Sequence, residues 1–220
     1  MAIFLLAAAL LIPAVTPAAA VTGGFGVKLF FLGRIAVLIA LAHDLLRRRS
    51  LQWSDVGLRW PAWRRLFIAV PAGAAMTIVF STAAREIAAR VGLPTSDYSV
   101  FAPIKGNLGE YLFWLLPVAL GTAAFGEELL FRGFLTDALR RLLGGSGTAA
   151  MTGALVAQAV IFGGLHFYQG AGGMIAAGVT GLALGLTWVI AGRNLWAGII
   201  LHALVDGSAM TAMYLGSPAA

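Results

Sequence analysis

The chain contains no cysteine. Disulfides, thiolate metal sites and a cysteine nucleophile are thereby excluded. Charge is scarce too. Asp, Glu, Lys and Arg make up 11% of the 220 residues, where a soluble domain carries about 25%. Long apolar runs stand in its place. The chain is 60% hydrophobic, with a mean hydropathy of +0.90, and several runs approach the roughly 20 residues that cross a bilayer. The runs are continuous rather than alternating with period two, which argues against a transmembrane barrel. The fold class that follows is an all-α integral membrane protein, a bundle of about seven transmembrane helices with its active site inside.

The formal charge of +6 does not point to nucleic acid. Lys and Arg gather in the loops between apolar runs, as the positive-inside rule expects. The partner implied is the lipid bilayer.

Met1 to Ala20 is apolar, with Pro13 and Pro17 inside it and no basic residue before its core. It reads as a membrane helix rather than a cleaved signal. Phe25 to Leu46 is a second span, carrying Lys28 and Arg34 and ending at Arg47-Arg48-Arg49. Ser50 to Arg65 mixes Trp53, Trp60 and Trp63 with arginine, an interfacial signature. Leu66 to Ala84 is a third span, and Arg85 to Gly106 a polar connection. Asn107 to Leu143 reads as one long helix, closed by the turn Gly144 to Gly147. Thr148 to Tyr168, Met174 to Ala191 and Leu195 to Leu215 complete the set, with turns at Gly170 to Gly173 and Gly192 to Asn194. Gly178, Gly181 and Gly185 allow close helix contact. The expected division is 1–106, N-terminal helices with an interfacial segment, and 107–215, the helical core that carries the site. With the basic loops placed in the cytoplasm, the C-terminus is outside.

Within this apolar chain, Glu127, Glu128 and Arg132 interrupt a run with no charge from Leu112 to Phe125. Ionisable groups at membrane depth are costly and mark a functional site by default. Glu128 and Arg132 are four apart and can pair on one helix face. Glu127, about 100° away, must point elsewhere. The later spans offer His166 in Phe162-Gly163-Gly164-Leu165-His166, then His202 and Asp206, again four apart. Glu127 lies nineteen residues before Ser146 and His166 twenty after it. In an antiparallel hairpin of α-helices that puts them within roughly 1.5 Å in height. His202, nine residues past Arg193, fits this level less well.

Each residue has a plainer reading. Glu128 with Arg132 can be a structural ion pair, and either histidine a link between helices. His43-Asp44 reads as a solvated helix end, and Glu110 and Asp137 as helix-terminal charges. Gln158 and Asn194 are possible neighbours of the site. The combination of Glu127, His166, His202 and Asp206 on three spans is harder to explain as structure alone.

Glu-Glu-Leu-Leu-Phe-Arg-Gly at 127–133, Phe162 with His166, and His202 with Asp206 resemble the three motifs of the CPBP membrane proteases. This is the CAAX-processing and bacteriocin-processing (Abi) family, which includes the type II CAAX prenyl endopeptidases. The likeness covers Leu112 to Met210. One departure stands out: the family commonly has asparagine where this chain has Asp206.

The resemblance implies hydrolysis of a peptide bond near the C-terminus of a membrane-anchored peptide or protein. Glu127, Glu128, His166, His202 and Asp206 are the expected catalytic set, with Arg132 and Phe162 in support. Amide hydrolysis needs an activated water, a place for the oxyanion and a proton for the leaving amine. A partly desolvated Glu127 suits a general base, with His166 beside the water and His202 at the oxyanion. Two versions stay open. In one there is no metal. In the other His166, His202 and Asp206 hold Zn²⁺ and Glu127 is the base. Aspartate in place of asparagine tilts toward the metal. Two other classes also stay open: a small proton- or ion-coupled transporter, and a non-catalytic scaffold or immunity protein. High Ala, Gly and Arg with few Lys suggest a GC-rich bacterium and its cytoplasmic membrane, where a peptide substrate is expected over a prenylated one.

Overall fold

A computed structural model describes residues 25–145 and 147–216. The expected first span, Met1 to Ala20, lies outside them, as does Ser146. Six helical elements run back and forth through the described residues: α1 (Phe25–Arg47), α2 (Trp63–Arg90), α3 (Leu108–Leu142), α4 (Thr148–Gly164), α5 (Gly170–Ile190) and α6 (Leu195–Tyr214). Short 3₁₀ turns at Ser99–Ile104 and Phe167–Gln169 precede α3 and α5. No strand occurs among the described residues.

The helices α2, α3, α5 and α6 are long and apolar enough to cross a bilayer, while α4 is apolar but shorter. The polarity of the bundle is that of a membrane protein. Phe67, Ile68, Ile78 and Val79 of α2 and Val160 of α4 face outward. Glu128, Arg132, Thr136, Gln158 and Thr187 are fully buried. Charge is thus turned inward, where other protein groups can satisfy it.

The loops sort to two ends. At the basic end, Arg59 donates to the Gly192 carbonyl at 2.7 Å, and Asn194 donates to the Arg59 carbonyl at 3.2 Å. The Asn194 side chain also accepts from Trp196 N–H at 3.0 Å, which caps α6. At the opposite end Lys28 pairs with Glu110 at 2.6 Å, and Gly106 N–H donates to the Tyr214 carbonyl at 3.0 Å. Asn107 caps α3 by accepting from Glu110 N–H. Glu110 is thus a helix-terminal charge, and Asp137 another, bonded to Arg140 and Arg141. His43 and Asp44 are exposed, with Asp44 paired to Arg48.

The segment read as a polar connection is partly helical, because α2 continues to Arg90. Beyond it, Val100, Phe101 and Ile104 pack on Trp114, Val118, Ala119 and Met210. Asp97 N–H donates to the Gln169 carbonyl at 2.9 Å, so this segment lies over the turn that follows α4. Hydrogen bonds from Ser99 hold the pKa of the Asp97 carboxyl below its ordinary value. The turn expected at Gly170 to Gly173 is confined to Gly170, at φ +73°, and the next glycines already belong to α5. Gly172 sits there because the backbone of Pro94 to Ser96 occupies the space of a Cβ. Ser50 to Ala62 is irregular rather than helical, and α2 begins at Trp63.

Within α3, Trp114–Leu135 is wound as a π-helix. Its bonds run i→i+5, as the Thr136 N–H to Phe131 carbonyl bond illustrates. Such winding is rare and tends to occur at functional sites. Pro117 near its start removes one backbone donor. More residues per turn means less rise per residue. The height count that set Glu127 level with His166 assumed α-helical rise, and this segment does not have it.

Candidate active site

Glu127 and Glu128 leave α3 in different directions. Glu128 faces α6. Its Oε1 accepts from Arg132 Nη1 at 2.7 Å and faces His202 Nδ1 at 3.1 Å. The i,i+4 pair expected from the sequence is therefore formed, and both of its side chains are fully buried. Arg132 is held on two further sides. Its Nη2 donates to the Gly181 carbonyl of α5 at 2.8 Å, and its guanidinium lies 4.8 Å from the centre of the Phe162 ring. The Gly181 carbonyl also accepts from Gln158 at 3.0 Å. Gln158 is thus a neighbour of the site, whereas Asn194 works as a cap at the basic end.

Phe162 fills the centre. It stands edge-on to Phe131 at 4.9 Å, and its ring centre is 4.8 Å from that of His166 and 6.2 Å from that of His202. The glycines of α5 allow the close contact expected of them. A Cβ at Gly181 would press on Phe162, and one at Gly185 on Leu155.

His202 stands between two carboxylates. Nδ1 faces Glu128, and Nε2 lies 3.4 Å from Asp206 Oδ2. An imidazolium, with a donor on each nitrogen, can serve both. His202 is buried, while Asp206 is partly open. The structure thus brings His202 to Glu128 across two helices, a contact that spacing along the chain does not reveal.

Gly198 makes this junction possible. A Cβ there would collide with Glu128 Oε2. Gly198→Ala is expected to lower stability by about 1–3 kcal/mol through overpacking, because a carboxylate tied to Arg132 and His202 cannot step aside. Thermal unfolding of the purified variant in detergent measures this.

Glu127 faces α1. Its carboxylate is 3.9 Å from Arg34 Nη2 of α1, and the two side chains are 10% and 12% exposed. The charge of Glu127 also bears on His166, as do those of Arg34 and Asp206. His166 lies just past the end of α4, half-buried, with Nδ1 2.8 Å from the Phe162 carbonyl and its ring stacked on Tyr168. If Nδ1 carries the proton and donates there, Nε2 is left as an acceptor. Arg34 is the participant that sequence reasoning passed over. Its signal was present, a lone arginine in an apolar span, but no motif marked it.

A zinc set of His166, His202 and Asp206 does not fit this arrangement. His202 Nε2 and Asp206 Oδ2 are neighbours at 3.4 Å, while His202 Nδ1 is turned to Glu128. Among the described residues no three His, Asp or Glu side chains gather where one ion could touch them all.

Residues 109–208 match the family described as type II CAAX prenyl endopeptidase Rce1-like. No curated protein and no solved structure matches the chain. The matched segment is just under half of the sequence, yet it contains Glu127, Glu128, Arg132, Phe162, His166, His202 and Asp206. Through it the chain is similar to the CPBP family of membrane proteases.

Proposed function

We propose that this protein is an intramembrane endopeptidase that cleaves a membrane-anchored peptide or protein near its C-terminus, with a water activated by Glu127 and no metal. The observation that carries this reading is the division of labour between two adjacent glutamates. Glu128 is committed to Arg132 and His202 in a fully buried cluster. Glu127 is left outside that cluster, 3.9 Å from Arg34 and 10% exposed, with its charge acting on His166.

In this reading Glu127 takes a proton from water, and the hydroxide oxygen bonds to the scissile carbonyl carbon. Negative charge moves to the carbonyl oxygen. His202, with Glu128 behind Nδ1, presents Nε2–H to that oxygen. Asp206 holds the same N–H before substrate arrives. The C–N bond then breaks as the proton on Glu127 passes to the leaving amine, with His166 orienting the water through Nε2. Buried, prealigned donors of this kind stabilise developing charge strongly. Glu128 and Arg132 set the position of His202, and Phe162 keeps the two imidazoles apart. The host membrane proposed is the bacterial cytoplasmic membrane.

The test uses purified full-length protein in proteoliposomes with two fluorogenic peptides. One is prenylated on a cysteine near its C-terminus, and the other is anchored by an N-terminal acyl chain. Release of a short C-terminal fragment from either is expected. A folded protein that cleaves neither counts against the reading and favours a scaffold or transporter. Cleavage is expected to persist in excess chelator, with less than one equivalent of zinc by elemental analysis. Loss of activity on chelation, restored by zinc, would overturn the metal-free mechanism.

A further inference from the structure

Arg34 lies outside the segment that matches the family, on α1, with α2 between the two in the chain. It nevertheless reaches Glu127. We propose that Arg34 is a positioning residue for the hydrolysis, supplied by α1: it aims the Glu127 carboxylate and remains as counter-charge while negative charge passes to the substrate oxygen. The role in hydrolysis rests on Glu127 being the base.

Three observations support this. The first is how α1 is seated. Ile35, Leu38, Ala42 and Leu46 are buried against Leu130, Phe131, Phe134 and Leu135 of α3. Gly126, whose Cβ would run into Ile35, brings the two helices together one residue before Glu127. Arg34, next to Ile35 in the chain, is carried to Glu127 by this packing.

The second is charge. The neighbouring cation Arg132 is committed to Glu128 and the Gly181 carbonyl. Arg34 is the cation within ion-pair distance of Glu127, and the Arg132 charge reaches Glu127 without a direct pair. A charged arginine within an apolar span is costly and needs such a partner.

The third is reach. The Arg34 charge also bears on His166 and Tyr168. The guanidinium thus acts electrostatically on the histidine side of the site as well as on Glu127. When Glu127 accepts the water proton it becomes neutral, and the tetrahedral oxygen becomes negative. Net charge is conserved, and Arg34 can turn from one oxygen to the other without leaving its place.

The experiment combines Arg34→Gln, Arg34→Lys and Glu127→Gln in the full chain. Melting temperatures in detergent come first. The shift caused by Arg34→Gln is expected to differ between the wild-type and Glu127→Gln backgrounds, as it must if the two side chains interact. Kinetics on the two anchored peptides come second. Arg34→Gln is expected to lower kcat about 100-fold, the loss typical of a misplaced reacting group, with KM nearly unchanged. Arg34→Lys is expected to recover part of that loss. Additive melting shifts overturn the inference whether or not a peptide is cleaved, and so does an unchanged kcat in Arg34→Gln. Coupled shifts without wild-type cleavage would keep the pairing and overturn the catalytic reading beneath it.

Discussion

Glu127→Gln is expected to leave a folded protein that no longer cleaves. The substitution keeps the size and shape of the side chain and removes its ability to take a proton. General bases contribute about 10²–10⁴-fold to rate, so cleavage of the anchored peptides should fall by at least about 100-fold. Folding should survive, because Glu127 is not part of the buried Glu128–Arg132–His202 cluster. Its partner Arg34 stands 3.9 Å away, farther than a hydrogen bond. The readouts are fragment release in proteoliposomes and the melting temperature of the same sample. Cleavage at the wild-type rate would remove Glu127 from the mechanism. The same variant, if it retains bound substrate, can capture it from the native membrane.

Arg132→Met is expected to act in the opposite way, on the fold first. The change leaves Glu128 buried with its main counter-charge gone, and breaking a buried pair in this manner costs about 3–5 kcal/mol. It also removes the tie to the Gly181 carbonyl and the cation over Phe162. The variant should melt far below wild type or fail to accumulate. Replacing both partners, as Glu128→Met with Arg132→Met, should restore part of the lost stability, since no unpaired charge remains. It should not restore cleavage, because His202 loses the carboxylate behind Nδ1. Equal melting temperatures for wild type and Arg132→Met would show that the pair contributes nothing to the fold.

How much of this was legible in the sequence depends on the range of each contact. Glu128 with Arg132, and His202 with Asp206, are four residues apart and follow from helical register alone. The separation of Glu127 from Glu128 follows in the same way. The membrane-protein class was legible from apolar run length, and the sorting of basic loops to one end from where arginine sits. The bond between Glu128 and His202 was not, because it depends on how close α3 comes to α6. That approach is set by Gly198, which looks like any other glycine in the chain. Arg34 was visible as a charge in an apolar span, but only the packing of α1 on α3 gives it a partner. The π winding of α3 was hidden as well. Hydropathy reports which residues seek lipid and does not count residues per turn.

One detail of the buried cluster bears on how the site tolerates change. Arg132 and Gln158 share the Gly181 carbonyl, which is a main-chain atom. No substitution on α5 can delete that acceptor. What position 181 must supply is room, because a Cβ there presses on Phe162. Mutations that drift through α5 can therefore change its lipid-facing side chains freely without unseating the arginine, provided the small residues stay small. The helices that carry the donors have no such latitude. Over many generations α5 should vary in its outward positions, while Gln158 and Arg132 remain fixed to a bond whose other half the genetic code cannot remove.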